Sequence, residues 1–189
     1  MSLSILWQIL YYGWVASEVV IAIATRTRNS TGNVRDGGTL YLLWAVIFTS
    51  MTAGIWLSEA TSIGAVPNTH WLGPAALILL IFGLILRSTA ILALGKSFSS
   101  NVAIHSTQTL LKTGLYRWMR HPSYTGLILI FFAAALRTRN WISFLIIVIP
   151  TTTALLYRVH VEEIALREHF GDEYAAYSRR TRRLIPGIY

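Results

Sequence analysis

Apolar runs of fifteen residues or more recur along the chain, each closed by a short polar segment. Residues 2–24, 39–57 and 71–94 come close to or exceed the roughly twenty residues a helix needs to cross hydrocarbon. Inside a bilayer every backbone N–H and C=O must be paired within the protein, so such runs commit the chain to helices. Two shorter runs follow, residues 122–136 and 141–157, about 22 Å and about 25 Å long as helices. Joined by the turn at 137–140, they are expected to pack as an antiparallel hairpin. They would cross with local thinning, or with Arg137 and Arg139 snorkelling to the interface. The reading is an all-α integral membrane protein with about five transmembrane helices and a cytosolic C-terminal helical segment.

Composition agrees. The chain is 54% hydrophobic and 13% charged, against about 25% charged for a soluble domain. Seven Trp and nine Tyr suit helices whose ends meet two membrane–water interfaces. The absence of cysteine excludes disulfides, thiolate zinc sites, cysteine nucleophiles and iron–sulfur clusters. The net charge of +8 lies in short loops beside the apolar runs, where positive-inside topology accounts for it. Membrane lipids are therefore expected partners; nucleic acid is not, because no recognised binding motif accompanies the charge.

Lys and Arg set the expected orientation. The loop after the first run carries three, the polar break at 95–120 four and the tail six, whereas the opposite side has Arg137 and Arg139. Five crossings then put the N-terminus outside and the break and tail together in the cytosol. The first run lacks a basic leading region and a small-residue cleavage site, and is read as a retained helix. Within the runs, Glu18 is expected to make a structural hydrogen bond facing the protein interior. Arg87 is expected to snorkel towards the nearer surface.

The polar stretch from Gln108 to Gly126 concentrates Lys112, Tyr116, Arg117, Arg120, His121 and Tyr124. Pro122 suits the first position of a helix, and the N–H groups of Ser123 and Tyr124 would then point out of the helix start towards an anionic group. If the last apolar run continues into the tail as one helix, Arg158 and Glu162 lie one turn apart on one face, with Glu163 turned away. Ile164, Leu166, Phe170, Tyr174 and Tyr177 continue an amphipathic pattern; Gly171 is expected to end one helix and Asp172 to cap the next. The histidines are scattered without ligand spacing, so no metal is expected. No nucleophilic triad or Gly-x-Gly-x-x-Gly run is present, and a Rossmann fold is not expected.

Thr113-Gly-Leu-Tyr-Arg-Trp-Met-Arg-His-Pro-Ser-Tyr-Thr-Gly126 resembles the motif of the isoprenylcysteine carboxyl methyltransferases and their prokaryotic relatives. Arg158, Glu162-Glu163, Phe170-Gly-Asp-Glu-Tyr174, Tyr177 and Leu184-Ile-Pro continue the likeness in order, and Leu94-Gly-Lys-Ser-Phe-Ser-Ser-Asn101 is similar to the prokaryotic members. The resemblance covers about the last hundred residues. It implies a membrane methyltransferase using S-adenosylmethionine, with S-adenosylhomocysteine as product. Carried over by position, the cofactor contacts are Asn101, Gln108, Thr109, Leu110, Leu111, Tyr116, His121, Pro122, Ser123, Tyr124 and Glu162, and Arg158 orients the substrate. Arg158 and Glu162 are the catalytic pair.

The expected organisation is one domain, 1–189, with three spans in 1–94 and the cofactor-binding core in 95–189. The expected acceptor is a lipophilic small molecule or a lipidated substrate, isoprenoid or carboxylate-bearing, and the expected location a prokaryotic inner (plasma) membrane. Two other readings stay open on the sequence. A membrane sterol or isoprenoid reductase has a related Arg-His-Pro motif but binds NADPH, and a non-catalytic lipid-binding protein binds neither cofactor.

Overall fold

The computed structural model describes residues 2–25, 33–34, 38–67, 69–99, 103–104 and 109–187. Five helices carry the fold: α1 (Leu3–Ala24), α2 (Thr39–Ala60), α3 (Leu72–Leu94), α4 (Pro122–Arg137) and α5 (Trp141–Arg180). The first three span 22, 22 and 23 residues, about 33 Å each at 1.5 Å per residue. These three and α5 are long and apolar enough to cross a membrane; α4, at 16 residues, is the short one. Side chains such as Phe48, Ile23 and Leu92 stand exposed on the outer surface, as expected when lipid rather than water is the solvent. The molecule is an all-α integral membrane protein. Among the described residues the β structure amounts to an antiparallel pairing of β1 (Asn33–Val34) with β2 (Ala103–Ile104), which leaves no room for a Rossmann sheet.

Local chemistry explains the helix ends. The Ser2 side chain accepts from the Ile5 N–H at 3.3 Å and caps α1. Pro122 opens α4 at the position where its missing N–H costs nothing. The Asn140 carboxamide oxygen accepts from the N–H groups of Ile142 and Ser143, both at 3.0 Å, and so starts α5. Its amide nitrogen donates to the Ile63 carbonyl at 2.7 Å, which fastens the α4–α5 turn to the loop after α2. Trp141 N–H to Gly64 and Val66 N–H to Arg139 add to that end of the bundle. At the other end, β1 in the α1–α2 loop pairs with β2 in the segment after α3. The loops thus alternate between two ends, as successive crossings require.

Packing departs from a simple α4–α5 hairpin. The closest partner of α4 is α3, and that of α5 is α2, although α4 and α5 also touch. Glycine permits both close crossings. A Cβ on Gly126 would come within 2.8 Å of the Gly83 carbonyl oxygen, and one on Gly54 within 2.6 Å of Ile147 Cγ1. The apolar centre is built from Leu80, Ile130, Phe131, Ile147 and Leu155.

At 40 residues α5 is about 60 Å long. That far exceeds a bilayer core, so the helix continues well past its apolar part as the tail. Gly171 takes φ 52° and ψ −124°, which breaks the helix into two segments at the expected glycine.

Candidate active site

A cleft lies where the tail part of α5 faces the polar segment before α4. Thr109, Leu110, Leu111 and Tyr116 form one wall, and Ala165, Leu166, Tyr174 and Tyr177 the other. His121, Ser123, Tyr124, Arg158 and Glu162 form the floor. Pro122 is fully buried, is not among the lining residues and begins α4. Asn101 and Gln108 lie outside the described residues.

Tyr124 is the hinge of the polar floor. Its hydroxyl donates to Glu162 Oε2 at 2.8 Å and accepts from Arg158 Nε at 3.1 Å. Arg158 and Glu162 do share one helix face, but Tyr124 from α4 joins them. Arg158 Nη1 also donates to the Thr39 hydroxyl at 2.9 Å, across 119 residues of sequence. Arg158 is 3% exposed, and a planar fork held this way is suited to a carboxylate.

Glu163 points away from the cleft and does different work. It receives Arg120 Nε at 2.7 Å on one oxygen and Arg183 Nε at 2.9 Å on the other, with His121 Nε2 at 3.5 Å. Burial by itself would raise this carboxyl, but the contacts with His121 and Arg120 outweigh it and hold the group at about 2. Around Glu163 the chain after α5 returns to the motif segment. Arg120 and His121 donate their N–H groups to the carbonyls of Arg182 and Arg183 at 2.7 and 2.9 Å. Thr125 Oγ1 donates to the Leu184 carbonyl at 2.9 Å. Tyr177 OH donates to the Tyr116 carbonyl at 2.7 Å, and Lys112 pairs with Glu173 at 2.6 Å across the surface. Burial, reinforced by the Glu162 carboxylate, pushes the Tyr116 phenol up, so it stays protonated and cannot serve as a base.

Two expectations need correction. Arg87 does not snorkel: it is buried and lines the cleft. Its Nε and Nη2 each donate to Glu18 at 2.6 Å, and its Nη1 donates to the Ser123 hydroxyl. Glu18 also accepts from Trp14 Nε1 at 2.9 Å. A paired, hydrogen-bonded guanidinium at this depth is cheaper than a long reach to the surface, because Glu18 supplies the charge it needs. The second correction is at the start of α4. The Tyr124 N–H bonds back to the His121 carbonyl at 3.1 Å, which removes it as a donor for a ligand.

Sequence reasoning also missed the part of the cleft supplied by α1 and α2. Trp14, Glu18, Leu40 and Trp44 line it, and it adjoins a second, apolar groove between those helices. A signal was present for the ion pair. Glu18 and Arg87 stand six and seven residues from the ends of their helices on the same side of the bundle, and so at about the same depth.

Comparison with known proteins points one way. The profile of the isoprenylcysteine carboxyl methyltransferase family matches residues 76–168, which include Arg87, the His-Pro motif, Arg158 and Glu162. The chain is 33% identical over 120 residues to the protein-S-isoprenylcysteine O-methyltransferase of Rattus norvegicus, covering 62% of this chain and 42% of that protein. A probable protein-S-isoprenylcysteine O-methyltransferase of Oryza sativa subsp. indica is 27% identical over 182 residues, covering 95% of this chain and 92% of its own length. A solved eukaryotic intramembrane Ras methyltransferase superposes with a TM-score of 0.56 at 31% identity, over 63% of this chain and 43% of that one. The chain thus spans less than half the length of the rat and solved relatives and nearly all of the rice relative. The chain is similar to the isoprenylcysteine carboxyl methyltransferase family, whose profile it matches over residues 76–168.

Proposed function

We propose that the chain is an integral-membrane methyltransferase that moves a methyl group from S-adenosylmethionine to the carboxylate of an isoprenoid-bearing acceptor. The observation that carries this reading is the chain Arg158–Tyr124–Glu162, set at the floor of a cleft that adjoins the apolar groove between α1 and α2. A lipidated acceptor, such as the S-isoprenylated cysteine named for the relatives, has the same two ends. Its apolar tail fits the groove and its carboxylate fits the guanidinium.

The donor set suits S-adenosylmethionine. Glu162 offers a partly exposed carboxylate to a cationic ligand. Thr109–Leu111 line the same cleft, and Tyr116 and Tyr174 add aromatic rings to its lining. When bound, this cofactor supplies a methyl group already activated by a cationic sulfur. A carboxylate acceptor is ionised at neutral pH, so no base is required of the protein. Arg158 orients the acceptor, Glu162 balances the positive charge, and the tail helix excludes water from the cleft. The protein's contribution to rate is alignment at near-attack distance.

The clustering of Lys and Arg at the cleft end of the bundle supports a cytosolic site and an N-terminus outside. The motif segment at 94–101 favours a prokaryotic plasma membrane. The cofactor-binding core is residues 95–189, resting on the three spans of 1–94.

Incubation of the purified protein with a methyl-labelled cofactor and an S-isoprenylated cysteine carrying a free carboxylate tests the reading. Base-labile label in the acceptor is the expected product, since a methyl ester hydrolyses readily. Oxidation of NADPH by an isoprenoid, with no methyl transfer, would overturn it.

A further inference from the structure

Residues 76–168 are matched by the family profile, and the polar groups of the motif segment and the tail account for most of the cleft floor. Among the described residues, α2 also reaches the floor, from outside that region. Thr39 is the first residue of α2, 5% exposed, and its hydroxyl accepts from Arg158 Nη1 at 2.9 Å. Gly38, which precedes it, adopts φ 81°. That left-handed conformation is natural to glycine, and it turns the chain so that α2 begins at this point.

Arg158 projects from α5 on a flexible stem with five N–H donors in one plane. Contacts at two edges restrain that plane more tightly than a contact at one. Tyr124 OH holds the Nε edge and Thr39 Oγ1 holds the Nη1 end. The two contacts, made from α4 and α2, act together on the orientation of the guanidinium plane. We propose that Thr39 is a positioning residue for methyl transfer, acting through Arg158 to set the angle at which the acceptor carboxylate is held. Thr39 is not among the residues that line the cleft assigned to the cofactor. The proposal rests on the reading of Arg158 as the acceptor-orienting group.

The consequence is a division of effects that structural damage alone would not produce. Thr39→Val keeps the volume and removes the acceptor oxygen. Its kcat/KM for the lipid acceptor is expected to fall about 10- to 100-fold, the range for one hydrogen bond to a charged group or a small misplacement of a reacting carboxylate. The dissociation constant for S-adenosylhomocysteine should remain within about twofold of wild type, because the cofactor's contacts are elsewhere. Thr39→Ser restores the hydroxyl and should recover most of the activity. Thr39→Ala should match Thr39→Val, and this Ala/Ser pair decides the question if the valine variant does not fold. In the Arg158→Ala background, Thr39→Val should cost nothing further.

The experiment is steady-state methyl transfer by full-length protein in nanodiscs, with cofactor binding measured on the same samples. Phenylglyoxal modification of Arg158, read by peptide mass spectrometry, gives a readout independent of turnover. It is expected to quicken in Thr39→Val and to stay at the wild-type rate in Thr39→Ser. Wild-type kcat/KM in Thr39→Val beside a crippled Arg158→Ala would overturn the role of Thr39 and leave that of Arg158 standing. Full activity in Arg158→Ala would instead overturn the reading of Arg158. Equal losses of cofactor affinity and turnover in Thr39→Val, or no rescue by Thr39→Ser, would show a structural role and overturn the proposal. So would unchanged phenylglyoxal reactivity.

Discussion

Glu18→Ala would leave the Arg87 guanidinium buried without its counter-charge. Both side chains are about one-tenth exposed, and the two 2.6 Å bonds are supplied by two different guanidinium nitrogens. Removing one member of such a pair costs about 3–5 kcal/mol, because the charge left behind keeps its desolvation penalty. At about 2–4 °C per kcal/mol for a chain of this size, the melting temperature should fall by roughly 6–20 °C. Thermal unfolding in detergent or nanodiscs, followed by the fluorescence of the seven tryptophans, measures it. The double variant Glu18→Leu/Arg87→Met separates charge from packing. Both variants orphan Trp14 Nε1, so the double variant additionally loses only the partner of the Ser123 hydroxyl, about 1–3 kcal/mol, while it removes the unpaired charge that costs about 3–5 kcal/mol. It should therefore be clearly more stable than Glu18→Ala. A Glu18→Ala protein within about 1 kcal/mol of wild type, or a double variant less stable than the single one, would refute the idea that Glu18 neutralises a buried Arg87.

Other consequences are as direct. Gly126→Ala puts a Cβ 2.8 Å from both the Gly83 carbonyl oxygen and the Arg87 nitrogen; neither backbone atom can yield cheaply, so a loss of about 1–3 kcal/mol is expected on thermal unfolding. Glu163 is held at about 2 in the fold against an ordinary 4.5. Because its folded value is depressed, the stability it lends is complete above about 4.5 and is lost as pH falls towards 2. Hydrogen exchange of residues 179–187 should therefore accelerate, relative to its intrinsic rate, across that window, and Glu163→Gln should remove the pH dependence. The chain has no cysteine, so single cysteines report topology cleanly: Ser62→Cys should react with an impermeant maleimide from outside intact cells, and Asp172→Cys only after permeabilisation.

The helices were legible because apolar length alone decides them. Residues 2–24 and 71–94 match α1 and α3 to within a residue at each end. The last apolar run had no stop before the tail, and α5 indeed continues through it, broken at Gly171 where a left-handed residue was needed. Placements local in sequence could also be anticipated, such as Arg158 and Glu162 one turn apart on one helix face. What stayed hidden are pairings fixed by tertiary packing. Arg87 and Glu18 meet only because α1 and α3 are neighbours, and Thr39 meets Arg158 only because α2 packs along α5. The role of Glu163 was hidden for the same reason: its partners Arg120 and Arg183 come from segments 43 and 20 residues away. A sequence pattern gives residues one helix turn apart; it does not reveal which spans touch.

Equilibrium binding of S-adenosylhomocysteine and of NADPH to the purified protein, with Glu162→Ala and Arg158→Ala alongside, tests the central claim most directly. The account predicts saturable S-adenosylhomocysteine binding and none of NADPH. It also predicts that affinity drops about tenfold or more in Glu162→Ala, from loss of a charge-assisted contact, and is retained in Arg158→Ala. Saturable NADPH binding without S-adenosylhomocysteine binding, or equal loss of affinity in both variants, would contradict it.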